Sequence, residues 1–172
     1  MIKKKICLLG APGVGKTSLV ARFVKSIFSE KYQASVGAKV DKKTVEVNGR
    51  TVQLIIWDMA GDSAARLAHS PYVRGAAGHL VVADGTQPSS LEEVHRLTRE
   101  FVLHHGAVPM VFLVNKCDLS NLWRVTPEEI TKAGGDHGQP FVTSAKTGEG
   151  VEQAFIRLAE LIAAATTPAP GV

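Results

Sequence analysis

Short apolar runs rich in Val, Ile and Leu alternate with segments of helical spacing from one end of the chain to the other. Runs at 4–9, 39–47, 51–57, 78–83, 109–114 and 140–143 predict six strands. The patterns between them, at 16–26, 64–72, 90–104, 127–132 and 150–164, predict five helices. In the last of these Val151, Ala154, Phe155, Leu158, Ala159 and Ile162 recur at a 3.6-residue period, one apolar stripe to lay on a sheet. Such alternation reads as an α/β fold, a mostly parallel sheet covered by helices. One pair is an exception. Asn48-Gly49 between the second and third runs is a strong hairpin signal, so those two strands should be antiparallel neighbours. The second run mixes Lys39, Asp41, Lys42 and Lys43 with Val40 and Thr44, which suits a charged edge strand that either docks a partner or resists aggregation.

With 172 residues, 45% of them hydrophobic, the chain can bury one core but not two, and a single domain is expected over 1–165. The Pro- and Ala-rich stretch 166–172 is expected to be a disordered tail. Cys7 and Cys117 cannot build a disulfide framework, so a reducing, cytoplasmic setting is expected. The apolar run behind Lys3-Lys4-Lys5 is too short for a signal peptide, and no run approaches the ~18 residues of a membrane span. Residue 2 is Ile and the last residues hold no cysteine, so, taking the chain as complete, no lipid anchor is expected. Net charge is +4, but no stripe interleaves basic and aromatic residues, and nucleic-acid binding is not expected.

The candidate chemistry starts directly behind the first strand run. Gly10-Ala11-Pro12-Gly13-Val14-Gly15-Lys16-Thr17 fits the G-x-x-x-x-G-K-[ST] phosphate loop. Its glycines let successive N–H groups turn toward phosphate oxygens, Lys16 supplies a cation for the β and γ phosphates, and the Thr17 hydroxyl can ligate Mg²⁺. The helix that follows, with Ser18 in its first turn, aims its positive end at the same anion.

Asn115-Lys116-Cys117-Asp118 follows the fifth run and so emerges at the carboxyl edge of the sheet, where open α/β folds bind ligands. A carboxylate there can accept from N1–H and the N2 amine of guanine, neither of which adenine offers. Thr143-Ser144-Ala145-Lys146 follows the sixth run and would bring a backbone N–H to the guanine O6, with the Lys146 stem over the base. Trp57-Asp58-Met59-Ala60-Gly61 ends the third run: Asp58 can hold Mg²⁺ through a water, and the Gly61 N–H can meet the γ-phosphate.

Taken together these motifs, with Lys31-Tyr32-Gln33-Ala34-Ser35-Val36-Gly37, Tyr72-Val73-Arg74-Gly75-Ala76 and Thr147-Gly148, resemble the Ras-superfamily small GTPases, Ras- and Rab-type members most of all. The resemblance implies a six-stranded sheet of order 2-3-1-4-5-6 and a GTP/GDP switch that hydrolyses GTP with Mg²⁺ held by Thr17, Ser35 and Asp58. It likens Phe28 to the aromatic that packs on guanine, with core filler as the other reading. It implies effector, exchange-factor and GTPase-activating partners at switch regions 30–40 and 58–75, and a monomer.

The departures matter as much. The family's water-positioning glutamine follows the D-x-x-G glycine, and here that residue is Asp62. A carboxylate repels a charged phosphoryl group and cannot donate to its oxygens as an amide does, so slow intrinsic hydrolysis is expected. Three rescues are open: a partner supplying its own groups, Gln33 from the first switch, or Asp62 itself when protonated or through water. An arginine from a partner is worth about 10³ to 10⁵ in rate, which favours the first; Arg66 in the second switch stays open as well. Ser35 keeps a hydroxyl but loses the methyl that fixes its rotamer, Pro12 removes one loop N–H, and Ala38, Lys39 and Val40 depart from the Rab pattern at the effector edge. His104 and His105 are read as suiting the terminal carbonyls of their helix, His69 as having no direct role, and Cys117 as a buried structural thiol. Two other functions compete with the switch: a GTP-binding module that does not hydrolyse, and an ATP-using phosphate-loop protein.

Overall fold

The computed structural model describes residues 1–31 and 37–166. Six strands, β1 (Ile2–Leu9), β2 (Ala38–Val47), β3 (Arg50–Met59), β4 (Gly78–Asp84), β5 (Met110–Asn115) and β6 (Phe141–Val142), form one sheet in the order β2-β3-β1-β4-β5-β6. All pairs are parallel except β2–β3, as the Asn48-Gly49 signal requires. That turn places both residues at positive φ, 50° and 73°, the left-handed geometry of a hairpin whose twist matches its strands. β2 is an edge, in keeping with its mixed charges, and Lys39 pairs with Asp41 on it at 3.7 Å.

Helices α1 (Lys16–Lys25) and α5 (Val151–Thr166) cover one face of the sheet; α2 (Ala64–His69), α3 (Ser89–His105) and α4 (Pro127–Gly134) lie on the other. The first core joins Ile6, Leu8, Leu54 and Ile56 to Phe23 and to the stripe of α5, with Phe23 and Phe155 stacked at 4.0 Å. The second joins Cys7, Leu9, Val81 and Phe112 to Leu67, Phe101 and Ile130. β4 and β5 are buried along their whole length because both faces are covered, which is why they read as unbroken apolar runs. Burial also pushes the Cys7 thiol up to about 12, so it behaves as a small hydrophobe.

Three local expectations are corrected. The second helix stops at His69, because Pro71 starts a separate 3-10 turn over Pro71–Val73 capped by the Ser70 hydroxyl. The histidines at the end of α3 do not serve their own helix's carbonyls. Gly106 N–H meets Val102 O there, while His105 Nε2 reaches across to donate to Ala68 O at 2.6 Å and His104 pairs with Glu100 and packs on His69 at 4.3 Å. The effect is to dock α2 on α3. α5 runs through Thr166, one residue into the stretch assigned to the tail, and 167–172 lie outside the described residues. Among the described residues no helix is long and apolar enough to cross a membrane.

Candidate functional site

The carboxyl ends of β1, β3, β4, β5 and β6 bring the motif residues to one edge of the sheet. Gly10 leaves β1 so close to β4 that an added Cβ would lie 2.5 Å from Val82 O. At Gly15, φ is 103° and a Cβ would fall 2.4 Å from Asn115 Nδ2, so only glycine fits on both counts. Gly15 is also the N-cap of α1 and has no side chain to cap it, and the first turn holds no acid. The N-terminal N–H groups and the positive end of the dipole are therefore offered to an anion. Lys16 curls over the loop, donating to Gly10 O and Ala11 O at 2.9 Å each. Its burial pulls the ammonium down to about 8, against the opposing pull of Asp58.

Thr17 Oγ1 donates to Asp58 Oδ2 at 2.6 Å, joining the start of α1 to the end of β3. Burial pushes the Asp58 carboxyl up, even with the Thr17 hydroxyl and Lys16 beside it. The other oxygen, Oδ1, is buried with no hydrogen-bond partner among the described residues. A hydroxyl and a carboxylate with one unsatisfied buried oxygen form a hard oxygen donor set, and these two residues fit Mg²⁺. Ser35 and Gln33, the other residues assigned to this region, lie outside the described residues.

The D-x-x-G glycine closes against the loop: a Cβ on Gly61 would stand 2.4 Å from Pro12 N and 2.7 Å from Ala11 C. Asp62 comes next, with Oδ1 accepting from Ser63 N–H at 2.8 Å and Oδ2 3.9 Å from Arg66 Nη1. Ser63 caps α2, and Ala64 N–H donates to Glu93 of α3 at 3.1 Å. Asp62 and Arg66 thus form a pair at the mouth of the site.

At the ends of β5 and β6, Asn115 Nδ2 donates to Val14 O at 3.1 Å and Asn115 Oδ1 accepts from Thr143 Oγ1 at 3.1 Å. Lys116, at φ 74°, donates to Gly13 O at 2.7 Å and pairs with Asp84 at 2.9 Å. The two side chains tie the loop after β5 to the loop after β1. Ser144 Oγ donates to Asp118 Oδ1 at 2.7 Å, fixing the half-buried carboxylate in orientation. Ala145 is buried; Lys146 extends into solvent and pairs with Glu30 at 3.0 Å, which raises its ammonium. Phe28, 36% exposed, is not core filler.

Cys117 requires a correction. It is half-buried rather than buried, and its thiol donates to Glu149 Oε2 at 3.4 Å. Desolvation first, and the Glu149 carboxylate second, push it up to about 11, away from the reactive thiolate.

Sequence reading passed over Asp84, and gave Thr143 no role of its own beyond its place in the motif after the sixth run. Asp84 ends β4 one residue beyond the predicted run, its Oδ1 accepting from Thr86 N–H and Oγ1 at 2.8 and 2.7 Å while Oδ2 holds Lys116. An acid two residues before a threonine at a strand's carboxyl end was the available signal.

Residues 5–164 match the Ras family. Among curated relatives, the chain is 37% identical over 153 residues to the Ras-related protein RABA2a of Arabidopsis thaliana, covering 88% of this chain and 70% of the relative. It is 36% identical over 157 residues to Ras-related protein Rab-8B of Homo sapiens, covering 90% and 76%. With Ras-related protein Rab-8A of Mus musculus it is 36% identical over 162 residues, 93% and 78% of the two chains.

Proposed function

The chain belongs to the Ras family and is a small GTP-binding GTPase switch; on that premise we propose how its residues divide the work. The phosphates lie in the loop from Gly10 to Thr17, with Ser18 in the first turn of α1 behind them. Lys16 and the loop N–H groups stabilise the charge that spreads over the γ-phosphoryl oxygens as water attacks in line. Thr17, Ser35 and Asp58 hold Mg²⁺, which when bound neutralises phosphate charge. Asn115, Lys116 and Asp118 hold guanine with Ser144, Ala145 and Lys146, and Phe28 packs on the base.

Gly61 senses the γ-phosphate, and Asp62 replaces an amide with a carboxylate, so unaided hydrolysis is slow and a GTPase-activating partner supplies the missing donor. Loss of the γ-phosphate releases Ser35 and Gly61, and effectors reading 30–40 and 58–75 distinguish the two states. The protein works as a cytoplasmic monomer. The alternative of a module that binds GTP without hydrolysing it is not favoured by its family of GTPases.

One observation carries the ligand assignment: Lys116 on Gly13 O and Asn115 on Val14 O join the base-reading loop and the phosphate loop into a single site. Competition between GDP and ADP for the purified protein tests it. GDP should bind tighter by about 10⁴, because adenine offers Asp118 neither of the two donors that guanine does. ADP binding as tight as GDP would overturn the assignment.

A further inference from the structure

Arg22 belongs to the phosphate-binding helix, yet its guanidinium leaves that helix and enters the turn behind β6. Nε donates to Ala145 O at 2.8 Å, and Nη2 donates to Lys146 O. Nη1 bonds Ser26 O at 3.4 Å, so the same fork also closes the end of α1. Two of the three donors on this planar, permanently charged group hold two successive carbonyls in fixed directions, and the third anchors the fork to α1.

The donors of that turn are unevenly spent. Ser144 N–H goes to Glu149 O at 3.0 Å, Thr147 N–H to Ser144 Oγ at 3.0 Å, and Gly148 N–H to Ser144 O at 2.8 Å. The N–H groups of Ala145 and Lys146, between them, meet no acceptor among the described residues, although Ala145 is only 4% exposed. A buried donor without an acceptor is rare and points to a ligand atom. No peptide bond in the described chain is cis, so the Lys146 N–H points opposite to the Ala145 carbonyl of the same plane. With that carbonyl held toward α1 by Arg22, the N–H faces away from α1.

We infer that Arg22 is a positioning residue for guanine recognition: by holding the Ala145 carbonyl it aims the unspent Lys146 N–H of the same peptide plane at O6 of the base, beside the buried and unspent Ala145 N–H. The inference rests on the nucleotide reading proposed above. It adds that the helix receiving the phosphates also sets the geometry of the loop receiving the base. An arginine suits this role where a lysine does not, since one ammonium on a flexible stem cannot fix both carbonyls in register.

The test compares GDP with 6-thio-GDP, which keeps N1–H and the N2 amine for Asp118 but replaces O6 by sulfur, a weak acceptor. Dissociation constants are measured by competition for the unaltered protein, Arg22→Gln and Arg22→Lys, with far-UV circular dichroism and thermal melts of the GDP-loaded forms. The unaltered protein should prefer GDP over 6-thio-GDP by about tenfold, the worth of one or two good hydrogen bonds. Arg22→Gln should bring the ratio close to one by weakening GDP alone, and Arg22→Lys should fall between. Should Arg22→Gln fail to fold, the ratio for Arg22→Lys decides. Equal weakening of both nucleotides would make Arg22 a mere structural tie and overturn the inference, as would an unchanged ratio. Failure of the unaltered protein to bind GDP at all would overturn the nucleotide reading itself, and this inference with it.

Discussion

The Asp62 carboxylate stands 3.9 Å from the Arg66 guanidinium, one turn along at the start of α2. Both side chains are largely exposed, at 44% and 79%, so solvent screens the pair and its worth to the fold is below about 1 kcal/mol. Arg66→Ala should therefore leave the melting temperature nearly unchanged. It should also leave unaided single-turnover GTP hydrolysis within about threefold, because the Arg66 guanidinium, 79% exposed, is held by nothing stronger than this pair and is not fixed at the phosphate. A loss of about 10³ would instead assign Arg66 the role of a built-in arginine finger.

Lys16 sets a proton linkage. Its burial brings the ammonium from the ordinary 10.5 to about 8 in the ligand-free protein. Between those values the unfolded chain holds a proton that the folded chain has lost, so this group makes the fold more stable as pH rises through the window from 8 to 10.5, and its burial penalty is complete below 8. Phosphate charge beside Lys16 favours the ammonium. Titration calorimetry in two buffers of different ionisation enthalpy should find proton uptake on GDP binding near pH 8.5 and none from this group near pH 6.5. Lys16→Met should abolish the difference between the buffers along with most of the affinity.

Gly61 has no room for a methyl group, since its Cβ would meet the backbone of Pro12 and Ala11 rather than any side chain able to yield. Gly61→Ala should cost about 1–3 kcal/mol, read as a drop of roughly 3–10 °C in Tm. GDP affinity should hold within about threefold while the GTP analogue loses its advantage in ordering the second switch, followed by hydrogen exchange at α2. An unchanged Tm would mean that this close approach does not persist in solution.

Glu30 pairs at 3.0 Å with Lys146, a residue of the proposed base contact, with Glu30 78% and Lys146 50% exposed. Glu30→Gln should speed dissociation of a fluorescent GDP by less than about fivefold at low salt, and the difference should vanish near 0.5 M salt. A larger or salt-independent effect would mean that Glu30 contacts the nucleotide itself.

Much of this was legible in the sequence, and for identifiable reasons. Strand runs such as 109–114 stand out because both faces of β5 are covered, and Asn48-Gly49 announces its turn because few other residues tolerate two positive φ angles. Lys16, Thr17 and Asp58 could be read from motifs that fix residue type at fixed spacing, and the structure brings them together. Arg22 could not. On a helix it is one more polar position, and what it does depends on a turn that only the sheet order brings alongside. His105 misled for a related reason: the end of a helix suggests its own carbonyls, whereas the neighbouring α2 offered Ala68 O. Cys117 lies among residues that are buried at Asn115 and half-exposed at Asp118, and nothing in its neighbours' identities says on which side of that boundary it falls.

We propose that hydrolysis at this phosphate and guanine site is limited by Asp62. Single-turnover cleavage of GTP, comparing the unaltered protein with Asp62→Gln and no partner present, tests it most directly. The unaltered protein should cleave slowly and Asp62→Gln about tenfold or more faster, as an amide restores a donor facing the phosphoryl oxygens. Equal rates for the two proteins would contradict it.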